Sequence, residues 1–189
     1  GDIGVIMGSN IEYLRLTTAG ISADFGDLSV ARTYGGAHGS STRGLYAGGG
    51  TGSGTVYYTV IDYIEFDFLG NATDFGDLTL GRYGLAGSGN STRAVFSGGT
   101  NPYNSPKNTM DYVTIASTGN ATDFGDMTVN RAYPAPMEST TRCVFAGGNN
   151  TGGSGSASYY NTMDYITTAT TGNATDFGDL GARQSQHNG

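Results

Sequence analysis

Carboxylates recur in this 189-residue sequence in a form that invites a metal or acid–base reading. Asp-Phe-Gly-Asp occurs at Asp24, Asp74, Asp123 and Asp176, at intervals of 50, 49 and 53 residues. Clustered carboxylate oxygens suit a hard cation such as calcium. The tetrapeptide lacks the alternating Asp/Asn spacing of a calcium loop, and a feature present once per repeat serves the fold before it serves chemistry. Turn and capping roles are therefore expected here, with no metal and no cofactor.

The remaining reactive residues are few. Asp-Phe-Gly also spells the magnesium tripeptide of kinases, but four copies without a catalytic loop make that a coincidence. Cys143 stands where other copies carry Gly4, Gly44 and Ala94, so it reads as a small packed strand residue rather than a nucleophile. His38 and His187 have no metal-ligand spacing around them. Asn71, Asn120 and Asn173 match the glycosylation pattern, a match that their place in a repeated turn explains without a glycan. Arg32, Arg82, Arg131 and Arg183 each open a copy. They could ring an anion-attracting channel, but an ion pair or backbone hydrogen bonds is the favoured reading. Arg93 is expected to meet Asp111, and Arg142 to meet Asp164, across a hairpin. Of the 16 acids and 9 bases, only Asp2, Glu65, Asp67, Glu138, Arg15 and Lys107 fall outside the repeat. Little charge is left for a unique active site, and no catalytic residue is assigned.

A period near fifty residues points to stacked β units. Within each copy, short β-branched and aromatic runs are separated by Gly, Asn and Ser, with no helical periodicity. Four strands per unit follow: one after the leading Arg, one ending at a Gly pair, one around Asp-Tyr, and one ending in Asp-Phe-Gly-Asp. Gly70-Asn71, Gly119-Asn120 and Gly172-Asn173 lie where a tight turn wants residues tolerant of positive φ. Such units are the blades of a β-propeller. Residues 30–78, 80–127 and 129–180 read as whole blades, and 182–189 with 1–28 as one blade split between the termini, which would close a four-bladed ring in a single domain. Composition agrees: 33 Gly supply turns, and 13 Tyr add buried area that sparse aliphatics lack. The net charge of −7 argues against nucleic acid. No apolar run reaches the roughly 18–20 residues that span a bilayer. A start at Gly1 rather than Met suggests a processed product or a piece of a longer polypeptide.

The Gly pairs (Gly48-Gly49, Gly98-Gly99, Gly147-Gly148), the Tyr of Asp-Tyr (Tyr63, Tyr112, Tyr165) and the Arg opening each copy resemble kelch repeats. Phe25, Phe75, Phe124 and Phe177 stand in for the Trp that kelch blades carry. The wording Gly-Asn-Ala-Thr-Asp-Phe-Gly-Asp, with Ser-Thr-Arg and Ala-Gly-Gly, resembles the kelch-like repeats of tail and virion proteins in marine bacteriophages, cyanophages especially. The resemblance implies a virion or extracellular location and partners among other virion proteins. Kelch propellers usually have six or seven blades, so a larger ring, completed for instance by a homo-oligomer, is the alternative to self-closure. A galactose-oxidase-like enzyme would need copper ligands that two His do not provide.

What differs between copies is the loop after the Gly pair. These loops carry Tyr57, Tyr58, Tyr103, Lys107, Asn149, Asn150, Tyr159 and Tyr160 amid Ser and Gly. Variable loops on a rigid scaffold are a common place for recognition. The same tyrosines could equally pack onto neighbouring blades. The expected function is a non-enzymatic virion-surface module, a tail fibre or appendage, binding a host receptor or glycan through these residues. The alternative is a purely structural component of a tail or capsid appendage.

Overall fold

The computed structural model describes residues 3–51, 56–101, 105–150 and 158–184. It is all β, with 17 strands and no helix among the described residues. Sheet I contains β1 (Ile3–Met7), β2 (Ile11–Arg15) and β3 (Ala23–Gly26). Sheet II is built from β4 (Gly36–Gly39), β5 (Arg43–Ala47), β6 (Val60–Glu65) and β7 (Thr73–Asp77). Sheet III takes β8 (Ala86–Gly89) and β9 (Arg93–Ser97). After the small ribbon β10 (Thr100–Asn101) and β11 (Ser105–Pro106), it adds β12 (Thr109–Thr114) and β13 (Thr122–Asp126). Sheet IV comprises β14 (Ala135–Glu138), β15 (Arg142–Ala146), β16 (Tyr160–Thr167) and β17 (Thr175–Gln184). Sheets II to IV are four-stranded meanders, and sheet I has three strands. The four strands expected per repeat are present in each whole unit.

The Asp-Phe-Gly-Asp motif is a β-bulge. In sheet III, Met110 pairs with Gly125 and the next residue, Asp111, pairs with Asp123, so Phe124 is the extra residue. The same shift occurs in the other three sheets. A bulge re-aims its extra side chain and often needs a glycine at positive φ. Gly76 and Gly125 hold φ of 146° and 134°. Phe25, Phe75 and Phe124 are buried, and each joins residues of the following sheet in one apolar cluster. Phe75, for example, lies with Ala94, Phe96, Val113 and Ile115. This is the between-sheet place expected for them.

A second bond set repeats at every joint. The Gly70, Gly119 and Gly172 N–H groups donate to the carbonyls of Phe25, Phe75 and Phe124 at 2.7–2.8 Å. The Asn71, Asn120 and Asn173 side-chain oxygens accept from the backbone N–H of Asp27, Asp77 and Asp126 at 3.0–3.1 Å. These asparagines do not have positive φ. They are required for an acceptor reaching the preceding sheet, rather than for turn tolerance.

The leading arginines are structural. Arg32, Arg82 and Arg131 are fully buried and pair with Asp62, Asp111 and Asp164 at 2.6–2.7 Å. Arg82 also donates to the carbonyls of Gly98 and Phe96 at 2.7 and 3.0 Å. Each aspartate accepts a hydroxyl from the preceding linker: Ser29 to Asp62, Thr79 to Asp111, Thr128 to Asp164. The expected pairs Arg93–Asp111 and Arg142–Asp164 are not formed. Arg93 lies opposite Thr114 and Arg142 opposite Thr167, while the two aspartates face Phe96 and Phe145. Their guanidinium groups instead sit 4.4 Å from the ring centroids of Tyr112 and Tyr165. Cys143 is buried in β15, as a small strand residue should be.

No closed ring is seen among the described residues. Residues 181–184 continue β17 alongside β16, with Gln184 opposite Tyr160, and sheet I receives no fourth strand from them. Gly181 stands at the position from which Ser29, Thr79 and Thr128 bond to the next sheet's aspartate, and Arg183 follows the motif one residue sooner than Arg32, Arg82 and Arg131, so neither tie that leads the chain into a next sheet is in place here. Arg183 is correspondingly exposed, unlike Arg32, Arg82 and Arg131. Residues 185–189 lie outside the described residues.

Candidate functional site: a tyrosine face beside the variable loops

Each variable loop springs from the same short ladder. Gly50 bridges Thr33 and Tyr57, Thr100 bridges Tyr83 and pairs with Pro106, and Asn149 bridges Ala132 and Tyr159. The next residues, Tyr58, Lys107 and Tyr160, each donate a backbone N–H to the second glycine of the pair at 2.8–2.9 Å. Loop length varies only between these fixed feet.

This geometry sorts the sequence candidates. Asn149 is fully buried as part of the foot, so its side chain is scaffold. Asn150 is exposed, and its side-chain oxygen accepts from the Ser158 N–H at 3.0 Å, closing the base of its loop. Lys107 is half-buried with its Nζ 3.3 Å from Ser105 Oγ. Tyr58 and Tyr160 are half-buried, and Tyr159 is exposed. Tyr103 lies outside the described residues. Among the described candidates, Tyr57 is the one brought into an aromatic group, its ring 5.3 Å from that of Tyr83.

That group contains three tyrosines the sequence reading passed over. Tyr34, Tyr83 and Tyr133 come from three successive sheets, with ring centroids 6.1–6.4 Å apart and edges toward faces. Tyr34 and Tyr133 sit two residues after Arg32 and Arg131, and Gly84 holds the same place after Arg82. The Gly84 N–H donates to the Tyr34 carbonyl, and the Tyr133 N–H to the Gly84 carbonyl, both at 2.7 Å. All three backbones are left-handed: φ is 61° at Tyr34, 66° at Gly84 and 55° at Tyr133. Glycine takes this conformation without penalty, whereas a bulky side chain does not. A Cβ on Gly84 would lie 2.9 Å from the Tyr133 ring, so the glycine also makes room for its neighbour.

Tyr34 and Tyr133 border a cleft of about 550 Å³, whose walls include Ile6, Tyr46, Leu85, Pro136, Gly35 and Gly87. This size and mixed lining suit a small ligand. Tyr46 is buried at this wall and its hydroxyl accepts from the Gly35 N–H at 2.8 Å. Burial pushes the Tyr46, Tyr83 and Tyr133 hydroxyls above the ordinary tyrosine range. For Tyr83 and Tyr133 the neighbouring phenols push the same way, while Tyr133 also donates a hydrogen bond to Tyr83. The face is therefore a neutral array of rings and hydroxyls. Among the described residues, no group of three potential ligands gathers to hold a metal.

The signal for these residues was present: an aromatic next to Gly or Pro within two residues after each buried arginine. It was hidden because they belong to the repeat, and repeated residues were assigned to the fold.

No protein-family model and no curated protein matches this sequence. Among solved structures the chain is similar to YjhT, a kelch-like β-propeller, with a TM-score of 0.78 at 8% sequence identity. The match takes in 97% of this chain and 64% of that one, so the chain spans less than two thirds of YjhT. The likeness is one of fold: antiparallel sheets packed face to face in succession.

Proposed function

We propose that this chain is a non-enzymatic recognition module of kelch-like propeller blades, carried on a bacteriophage virion, that binds carbohydrate of a host-surface receptor on its tyrosine face. The observation that carries this reading is the left-handed backbone of Tyr34 and Tyr133. A tyrosine at φ near +60° costs stability that the glycine at the equivalent third position avoids, and such strain collects where a side chain is needed for function. The half-exposed Tyr34 ring and the neutral tyrosine hydroxyls beside the cleft offer stacking and hydrogen bonding together, as sugar rings require. Tyr57 links this floor to the variable loops, which supply selectivity.

The virion setting is supported by the wording of the repeats alone. A second reading, a structural part of a tail or capsid appendage, is favoured by the apolar end faces of sheets I and IV. Binding of the purified chain to a carbohydrate array and to host cells tests the first reading. Binding to a defined sugar class, weakened by Tyr57→Ala, is the expected result. A chain that binds neither sugars nor cells refutes it.

A further inference from the structure

Every joint between these sheets has two halves, and the outer faces of sheets IV and I each display one half with nothing opposite it among the described residues. On the giving side, sheets I, II and III present a bulge Phe, a glycine without Cβ, and, in sheets II and III, an arginine stacked on tyrosine. The ideal Cβ of Gly26, Gly76 or Gly125 would lie 2.3–2.5 Å from the turn glycine of the next sheet. Arg43 and Arg93 reach across to carbonyls of Ile115, Ala116 and Thr168 at 2.8–3.2 Å. Sheet IV repeats all three features with nothing opposite them among the described residues. Phe177 is 49% exposed where Phe25, Phe75 and Phe124 are 2–3% exposed. Gly178 keeps a φ of 125° although the space beside it is open but for Met163 Cε at 4.0 Å. Arg142 stacks on Tyr165, with no carbonyl of another sheet bonded to it among the described residues.

Sheet I carries the receiving half. Strand register makes Gly4, Ile6, Leu14 and Leu16 the equivalents of Ala94, Phe96, Val113 and Ile115, which surround Phe75. Phe96 and Ile115 are 0% and 2% exposed, whereas Ile6 and Leu16 are 57% and 65% exposed. Gly20-Ile21-Ser22 stands where Gly119-Asn120-Ala121 meets the preceding sheet, and Ile21 is 95% exposed.

We infer that the outer face of sheet IV docks on the outer face of sheet I of a second copy of this chain. Phe177 fills the recess between Ile6 and Leu16, the Gly20 turn lies over Gly178, and Arg142 donates to the carbonyls following β2. A second copy fits because the half of the joint that each outer face lacks is the half the other outer face shows. Ile21 replaces the asparagine acceptor of the internal joints, which exchanges one hydrogen bond for apolar contact and leaves this joint weaker than those inside the chain. Such an interface is head-to-tail, so it propagates into a ring if the rotation closes and into a fibre if it does not.

The test uses single-cysteine variants in a Cys143→Ala background, since Ala stands at the equivalent position 94. Internal joints place Asp27 beside Asn71, so the matching pair here is Asp179→Cys in one chain and Ile21→Cys in another. Mixing the two under mild oxidation is expected to give a disulfide-linked heterodimer far in excess of either variant alone. No enrichment in the mixture overturns the inference. So does a double variant that closes only within itself, which would mean self-closure. Sedimentation of the unmodified chain is expected to show mass rising above 19.5 kDa with concentration. Phe177→Asp and, independently, Leu16→Asp should weaken association about tenfold or more. Both side chains are exposed, so far-ultraviolet circular dichroism should be unchanged. A chain that is monomeric at all concentrations, or variants that associate as well as the parent, contradicts it.

Discussion

Arg82 and Asp111 are both fully buried and 2.7 Å apart, and Thr79 of the preceding linker donates to the same carboxylate at 2.6 Å. One buried charge pair thus ties three segments, and the same knot recurs at Arg32–Asp62 and Arg131–Asp164. Removing one partner strands the other without solvent. Asp111→Ala should therefore destabilise the fold by about 3–5 kcal/mol, and Arg82→Met by a similar amount. Urea denaturation of the two variants checks this. A loss below about 1 kcal/mol would place the pair outside the structural core.

The turn asparagines give a sharper discrimination. Asn120 accepts from the Asp77 N–H across the joint and has no positive φ. Asn120→Ala and Asn120→Gly should both lose about 0.5–1.5 kcal/mol, with Gly no better than Ala. If Gly restores stability, backbone conformation and not the amide oxygen is what this position needs. Thermal melts of the two variants decide it.

Gly76 and Gly178 share a bulge position but not a neighbour. A Cβ at Gly76 would come within 2.4 Å of the Gly119 carbonyl oxygen, whereas at Gly178 the nearest atom is Met163 Cε. Both alanine variants bear backbone strain at positive φ. Gly76→Ala adds overpacking of about 1–3 kcal/mol. Equal losses in the two variants, measured by denaturation, would mean that Gly76 is not a contact glycine.

Alkaline pH probes the tyrosine face. The Tyr46, Tyr83 and Tyr133 hydroxyls are raised above the ordinary value, burial being the largest cause. In the unfolded chain they ionise near pH 10. The folded state holds protons that the unfolded state releases, so their contribution is intact below about pH 10 and is lost as pH rises through the raised values. Phenolate absorbance should show late-ionising tyrosines that appear only as the protein unfolds, and fewer of them in Tyr83→Phe. Tyrosines that all titrate together near pH 10 in the folded protein would contradict this.

The repeat made the strands and their order legible, because period-2 runs, Gly pairs and Asp-Phe-Gly-Asp mark each strand locally. The bulge Phe could be placed between sheets for the same reason. Contacts reaching beyond neighbouring strands of a hairpin were not legible. Arg82 reaches an aspartate 29 residues away across two strands, while Arg93 is nearer in the hairpin but points at the wrong register. Asn71 was readable as a turn residue, yet its amide serves the sheet before it. Tyr34 and Tyr133 could not be separated from structural tyrosines without knowing their φ. Ring closure departs from expectation where Gly181 lacks the linker hydroxyl and Arg183 sits one residue early, so the ties that lead the chain into a next sheet are not in place.

Tyr34→Gly tests the functional reading most directly. The substitution removes a half-exposed ring and relieves a left-handed backbone, so stability should hold or rise by up to about 1 kcal/mol. Titration of the variant with the sugar the parent binds, alongside a thermal melt, should show affinity reduced about tenfold or more at an unchanged or higher melting temperature. Full affinity in a stable Tyr34→Gly protein would contradict the assignment of recognition to the tyrosine face.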